Sequence, residues 1–461
     1  MHTAVWFQRN LRIDHNEALI WALNRAQRQN GKIALFYLHS TQDEAPWQRG
    51  AASSWWLHQS LLSLKDALSQ HGLVLNIIEG TASTTITTLL KQHNIDAISW
   101  QRSYEPHLFV HEQQLASQLI QRDITVNITH DGMLTNPHQL MTQKGTPYKV
   151  FTPFYRQMRK DLHHINDEKT TPATPYAVAS ITFNCALSLE ASNIIKPHHW
   201  QQKLAQHHQP GEKNSQQILR RFVVDRLIDY PSKRDIPAIE ATSMLAAPLH
   251  FGEVSIRQII SLLQPIIEQG EAQVNQAAEV FLRQLIWREF AKYILWYFPD
   301  SAELSMNKRF DSSFWVYDEE RLKRWQRGET GVAMIDAGMQ QLWQTGTMHN
   351  RVRMLVASYL TKNLAQPWQL GARWFWDTLV DADLANNSMG WQWVAGTGVD
   401  AAPYFRIFNP ETQAKKFDPD SLYQQRWNNT DPQPEPLVDL AESRRDALHR
   451  YQTHLKRHTL Q

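Results

Sequence analysis

Between Asp381 and Pro410 the chain reads DADLANNSMGWQWVAGTGVDAAPYFRIFNP, which crowds the acids Asp381 and Asp383, the adjacent amides Asn386 and Asn387, and the rings of Trp391 and Trp393 into one stretch. Acids and amides bracketed by aromatics suit a buried polar ligand with a large aromatic ring, because each buried polar group needs a partner. By pattern alone, a core loop with satisfied Asp and Asn side chains is the commoner origin of such a stretch. Upstream, Gln284, Trp287 and Arg288 stand at i, i+3 and i+4, and Asn350, Arg353 and Met354 repeat that spacing. On a helix each trio shares one face. Thr242 and Ser243, in EATSML, precede a helical region and offer hydroxyls either to phosphate oxygens or to a helix cap.

Two kinds of architecture have to position these residues. After Gly211 the apolar residues recur at helical spacing, as in EVSIRQIISLLQPIIEQ and QVNQAAEVFLRQLIWREFAKYILWYF, and strand signals nearly vanish. Residues 1–130 instead alternate short apolar runs (TAVWF, IALFYL, LVLNII, DAISW) with amphipathic segments, which predicts a parallel sheet with right-handed crossovers. The expected organisation is an α/β domain over 1–130, a connector over 131–212 and an all-α domain over 213–461. Asp14, His15 and Asn16 fall between the first strand and helix, where an open sheet places ligand loops, but no Gly-rich phosphate fingerprint accompanies them. GTGVDA, at 396–401, fits the letters of such a fingerprint yet follows no strand, so it is assigned no pyrophosphate role. The connector's His198, His199, His207 and His208 lack metal-ligand spacing and read as solvated. Adjacent helical residues point about 100° apart, so at most one of Trp55 and Trp56 is expected in the core.

Composition bounds the rest. A 461-residue chain with 42% hydrophobic and 20% charged residues is a soluble globular protein of two or three domains. A net charge of +2 leaves any nucleic-acid contact to a local basic face. Cys185 is the single cysteine, which rules out intramolecular disulfides and all-cysteine metal sites. With no apolar stretch able to span a bilayer and no charged lead into an apolar run at the start, the expected location is the cytoplasm, away from membranes.

The 381–410 block, MHNRVRM (348–354) and LIWREF (285–290) resemble the flavin-binding half of the photolyase/cryptochrome family. WFQRNLRIDHNEAL, GAASSWWLHQSL and RSYEPHL resemble its N-terminal antenna domain. The resemblance implies a Rossmann-like parallel-sheet domain followed by an all-α domain that binds FAD. It also implies a second pigment in the first domain, methenyltetrahydrofolate being favoured by the Trp55–Trp56 pair and a deazaflavin being the alternative. Carried over residue by residue, it assigns Tyr230, Thr242, Ser243, Arg353, Asp381, Asp383 and Asn387 to the cofactor, with Arg353 and Asp381 as an ion pair beside the flavin ring and Asn387 facing its N5. Trp391, Trp368 and Trp315 match a three-tryptophan electron path. Gln284, Trp287, Arg288, Asn350, Met354 and Trp393 match the rim of a pocket for a flipped-out pyrimidine dimer, where the tryptophans would stack on bases. Arg234 and Arg406 are favoured among the basic residues as phosphate clamps.

Five positions depart from or choose within the family pattern. Met244 and Ala246 replace the Arg and Ser that many relatives carry in the diphosphate loop, so the diphosphate is held differently. Gln284 stands where cyclobutane-dimer enzymes usually have Glu; it can hydrogen-bond but cannot ionise. Asn387, where plant cryptochromes usually have Asp, argues for repair over signalling, and Asn350, where the (6-4) branch has His, argues for cyclobutane dimers. The implied function is a light-dependent DNA repair flavoenzyme, a deoxyribodipyrimidine photolyase acting as a monomer on UV-damaged DNA. A cryptochrome-type blue-light photoreceptor is the alternative.

Overall fold

The computed structural model describes residues 1–162, 178–195, 200–428 and 432–459, so His198 and His199 lie outside the described residues. Five strands, β1 (His2–Phe7), β2 (Ile33–His39), β3 (Leu75–Glu79), β4 (Ile95–Gln101) and β5 (Thr125–Thr129), form one sheet in the order β3-β2-β1-β4-β5. Every pair is parallel, with Val5 of β1 opposite Leu35 of β2 and Ser99 of β4. The helices Glu17–Arg28, Ala51–Ser69, Ala82–Gln92 and Pro106–Ile120 make the crossovers. Strands covered on both faces carry continuous apolar runs, and β2 (IALFYLH) is buried along its whole length. Asn16 caps the Glu17–Arg28 helix, accepting from the Leu19 N–H at 3.1 Å, so at least this residue of the expected ligand loop serves the fold.

The described part of the connector returns to this domain. Ser180 bridges to Ile33 and Leu187 to Ile77, and the Asn76 side chain donates to the carbonyls of Leu35 and Ile181 while accepting from the Phe183 N–H. One buried amide thus pins the segment to the sheet.

Helices make up the second half, among them Ala272–Tyr297, Asn350–Ser358, Trp368–Thr378 and Leu384–Ala395. Asp383 caps the last of these, accepting from the Asn386 N–H at 2.9 Å. Its far end stops at Gly396, whose φ of 82° is the left-handed geometry that favours glycine. The first glycine of GTGVDA is therefore a helix stop. Lys362, fully buried, donates to the carbonyls of Ala395 and Tyr404 and lies 3.6 Å from the Tyr404 ring centre, holding that helix end with a cation.

Trp55 and Trp56 correct the sequence expectation: both are buried, at 5% and 4% exposure, and pack edge to face. The expectation assumed a helix with one buried side. The Ala51–Ser69 helix instead lies between the sheet and the helical half, where Trp56 donates to Glu253 at 3.0 Å. Glu253 also accepts from Ser60, Ser215 and the Gly211 N–H, so four donors from two segments meet on one fully buried carboxylate. Beside it, Leu11 N–H donates to Phe251 and the Arg12 guanidinium to Gly252. A Cβ on Gly252 would lie 1.9 Å from the Arg9 carbonyl oxygen, so the close approach of the two halves requires glycine there.

Candidate functional site

The Leu384–Ala395 helix is the centre of the candidate site. Leu384, Ala385, Ser388, Trp391, Gln392, Val394 and Ala395 are buried, yet Asn386 and Gly390 on the same helix are exposed. A Cβ at Gly390 would meet nothing within 4 Å. A helix enclosed on its other sides thus keeps one stripe open, as the wall of a groove does.

Polar groups gather along that stripe. Arg353 donates to both carboxylate oxygens of Asp381, at 3.1 and 2.9 Å, and its Nε–H donates to the Met348 carbonyl. One guanidinium nitrogen thus straddles the carboxylate while Nε is tied to the backbone, which fixes a charge-assisted contact in orientation. Asn387 donates to the Ala372 carbonyl at 2.9 Å, which orients the amide and leaves its own oxygen uncommitted among the described residues. Asp383 is held on one oxygen by the Asn386 backbone and side chain and faces His250 with the other at 3.3 Å. Burial alone would raise this carboxyl, but His250, Lys292 and Arg9 hold it well below the usual carboxylate range. Thr242 and Ser243 lie partly exposed in the turn before the Ala246–Phe251 helix, and Met244 adopts a positive φ of 56°. Tyr230 is buried against Phe281, with Arg234 over its ring.

The tryptophans divide. Trp391, Trp368 and Trp315 are all buried in one hydrophobic cluster. Trp391 contacts Phe375 and Trp325 at 5.0 and 6.1 Å, and the indole N–H groups of Trp391 and Trp315 have no hydrogen-bond partner among the described residues, whereas Trp368 donates to Ser305. Trp287 and Trp393 stay partly exposed; Trp287 stacks flat on Phe151 at 3.5 Å and Trp393 on Phe408 at 6.4 Å. Gln284, partly buried, reaches back to the Val280 carbonyl, Met354 packs at the edge of the cluster, and Asn350 and Arg406 are exposed.

Arg288 shares the helix with Trp287 but points elsewhere. It pairs with the fully buried Glu289 and donates to the Leu249 carbonyl, in a small cleft between the two halves of the molecule. Arg9, Arg12, Glu105, His250, Lys292 and Asp383 also line that cleft, which opens at the carboxyl ends of the neighbouring strands β1 and β4, whose connections leave toward opposite edges of the sheet. Arg351, a candidate phosphate contact, pairs with Asp235. Sequence reasoning missed His250, Arg9, Lys292, Phe151 and Trp325. Their partners lie far away in sequence (Arg9 and His250 are separated by 241 positions), and no local spacing signals such a meeting.

The donor set fits FAD: an oriented cation–carboxylate pair, an oriented amide whose oxygen is uncommitted among the described residues, hydroxyls in a turn, and an open stripe where a side chain would otherwise stand. Comparison with known proteins agrees. The family model for the FAD binding domain of DNA photolyase matches residues 281–431, and the DNA photolyase model matches residues 3–175. The chain is 37% identical to a deoxyribodipyrimidine photo-lyase of Agrobacterium fabrum, over 92% of this chain and 86% of that one. It is 31% identical to cryptochrome-2 of Arabidopsis thaliana, over 92% of this chain and 70% of that one. Its fold superposes on the crystal structure of a bacterial class III photolyase from Agrobacterium tumefaciens with a TM-score of 0.89 at 34% identity, covering 99% of this chain and 98% of the other. The chain belongs to the photolyase/cryptochrome family.

Proposed function

We propose that this protein is a light-driven DNA repair flavoenzyme that splits cyclobutane pyrimidine dimers in UV-damaged DNA. The open stripe of the Leu384–Ala395 helix, with the Arg353–Asp381 pair and Asp383 at the start of that helix, carries this reading. Bound there, FAD supplies light absorption and the electron that splits the dimer. The chain supplies position and electrostatics. Arg353 and Asp381 hold a fixed dipole beside the ring, Asn387 offers its amide oxygen without adding charge, and Thr242 and Ser243 offer hydroxyls to the diphosphate in the turn that Met244 shapes. Trp391, Trp368 and Trp315, buried in one aromatic-rich cluster, would offer a bound flavin an aromatic route for electrons. At the rim, Trp287, backed by Phe151, and Trp393, backed by Phe408, stack on the flipped bases. Gln284, Asn350 and Met354 meet the lesion's edge, and Arg234 and Arg406 hold flanking phosphates. Arg288 takes part only by leaving its bond with Glu289.

The same reading covers domain limits at 1–130, 131–212 and 213–461, a monomer, and a cytoplasmic location; no described helix is long and apolar enough to cross a membrane. A second pigment, methenyltetrahydrofolate or a deazaflavin, belongs with the first domain.

The test is to illuminate the purified, chemically reduced protein with an oligonucleotide carrying a thymine dimer. Recovery of intact thymines is expected, and a colourless protein would overturn the reading. The cryptochrome alternative is favoured by Gln284, which cannot ionise at the lesion's edge; no repair with flavin photoreduction intact would select it. Gln284→Glu should leave repair unchanged or raise it.

A further inference from the structure

One nitrogen of His250 is claimed from two sides. Its Nδ1 lies 3.3 Å from the Asp383 carboxylate and 3.2 Å from the Arg9 guanidinium. These claims are incompatible in a neutral imidazole. A protonated Nδ1 donates to Asp383 and then faces a donor on Arg9. A bare Nδ1 accepts from Arg9 and then faces the lone pairs of Asp383. The ring cannot move aside, since it is buried edge-on against Phe251 at 4.7 Å.

We infer that His250 is a positioning residue for the flavin-side carboxylate Asp383, and that Arg9 of the sheet domain sets which imidazole tautomer is present and so whether Asp383 receives the hydrogen bond. This inference rests on the reading that FAD lies against Asp383. The groups around the ring are Arg9 and Glu105 from the sheet domain, Asp383 at the cap of the Leu384–Ala395 helix, and Lys292 and Arg288 from the Ala272–Tyr297 helix, all lining the interdomain cleft. Burial, with Arg9 adding to it, lowers the imidazole to about 4, so the ring is neutral near pH 7 and the choice between tautomers is a real one. The device ties the first domain to the charge environment of the flavin through a chain of contacts, Glu105 to Arg9 to His250 to Asp383.

The experiment has two arms. Nitrogen-15 spectra of labelled histidines, taken on FAD-free protein, read the tautomer directly. Arg9→Met should shift His250 toward the Nδ1-protonated form, and an unchanged tautomer would overturn the role of Arg9. The flavin midpoint potential, measured on FAD-loaded protein, reads the consequence. His250→Leu strips a hydrogen bond from an anion beside the ring and should move the potential negative. His250→Asn, whose amide N–H stands where the Nδ1–H was, should restore most of the shift. Equal potentials in the Leu and Asn variants, with flavin retained, would reduce His250 to packing and sink the inference alone. A wild-type protein that never holds FAD would instead sink the reading beneath it. If His250→Leu does not fold, the Asn and Arg9 variants still decide.

Discussion

In the interdomain cleft, charged groups have committed their bonds inside the protein: Arg12 to Asp131, Arg9 to Glu105, Arg288 to Glu289, and Arg102 near Glu112 at 3.3 Å. Along the Leu384–Ala395 helix, by contrast, Asn386, Gly390 and the rim residues Asn350 and Arg406 stay exposed, and Asn387 keeps an oxygen free. The first arrangement fixes how two domains sit. The second leaves polar groups to be satisfied by something else. Two buried acids titrate in opposite directions as well: Glu112, behind the cleft wall, is pushed up by burial to about 7, whereas Asp383, where the helix start meets the cleft, is held low by His250, Lys292 and Arg9 despite its burial.

The comparison breaks most visibly at Arg12. Its pair with Asp131 is 2% exposed on both sides, and Arg12→Met would strand a buried carboxylate. A loss of about 3–5 kcal/mol is expected in urea unfolding; a loss below about 1 kcal/mol would put the cleft on the footing of an exposed pair.

Next comes pH. An acid whose folded value exceeds its unfolded one binds its proton more tightly when folded, so stability is greatest below the unfolded value and declines as pH rises. For Glu112 that window runs from 4.5 to about 7. Glu112→Gln should flatten the decline by an amount on the order of 2 kcal/mol, read from chemical denaturation at several pH values. An unchanged slope would show that Glu112 does not distinguish the two regions.

Two glycines sharpen the contrast between packed and open space. A Cβ on Gly371 would lie 2.1 Å from the Trp391 ring, so Gly371→Ala should cost about 1–3 kcal/mol. Gly390→Ala, meeting nothing, should be neutral or stabilise by about 0.5–1 kcal/mol. Similar melting temperatures for the two variants would mean that no groove is there. The smallest effect is at the rim: Arg406→Ala should weaken binding of dimer-containing DNA modestly and reduce the slope of log affinity against log salt by about 1. An unaltered slope would remove Arg406 from the DNA face.

Much of this was legible in the order of residues. The alternation of apolar runs with amphipathic segments announced a parallel sheet, because strands covered on both faces must be apolar throughout. The Arg353–Asp381 pair was readable through resemblance to a family motif, whereas the roles of Asp383 and Gly396 as start and stop of a helix came from the structure. The Trp55–Trp56 pair misled, since helical periodicity assumes one buried side and this helix has neighbours on two. Arg288 misled similarly: sharing a helix face with Trp287 set its direction only roughly, and Glu289 and Leu249 captured the guanidinium.

By itself, then, the sequence determined which segments become strands and helices, which residue types surround the groove, and the family. Only the tertiary structure decided which charges are neutralised internally and which remain for a ligand, and it alone brought Arg9 and Asp383 to the same imidazole nitrogen. The reason is physical: periodicity and capping act over a few residues, whereas a hydrogen bond is won by whichever group the packed chain carries within about 3 Å.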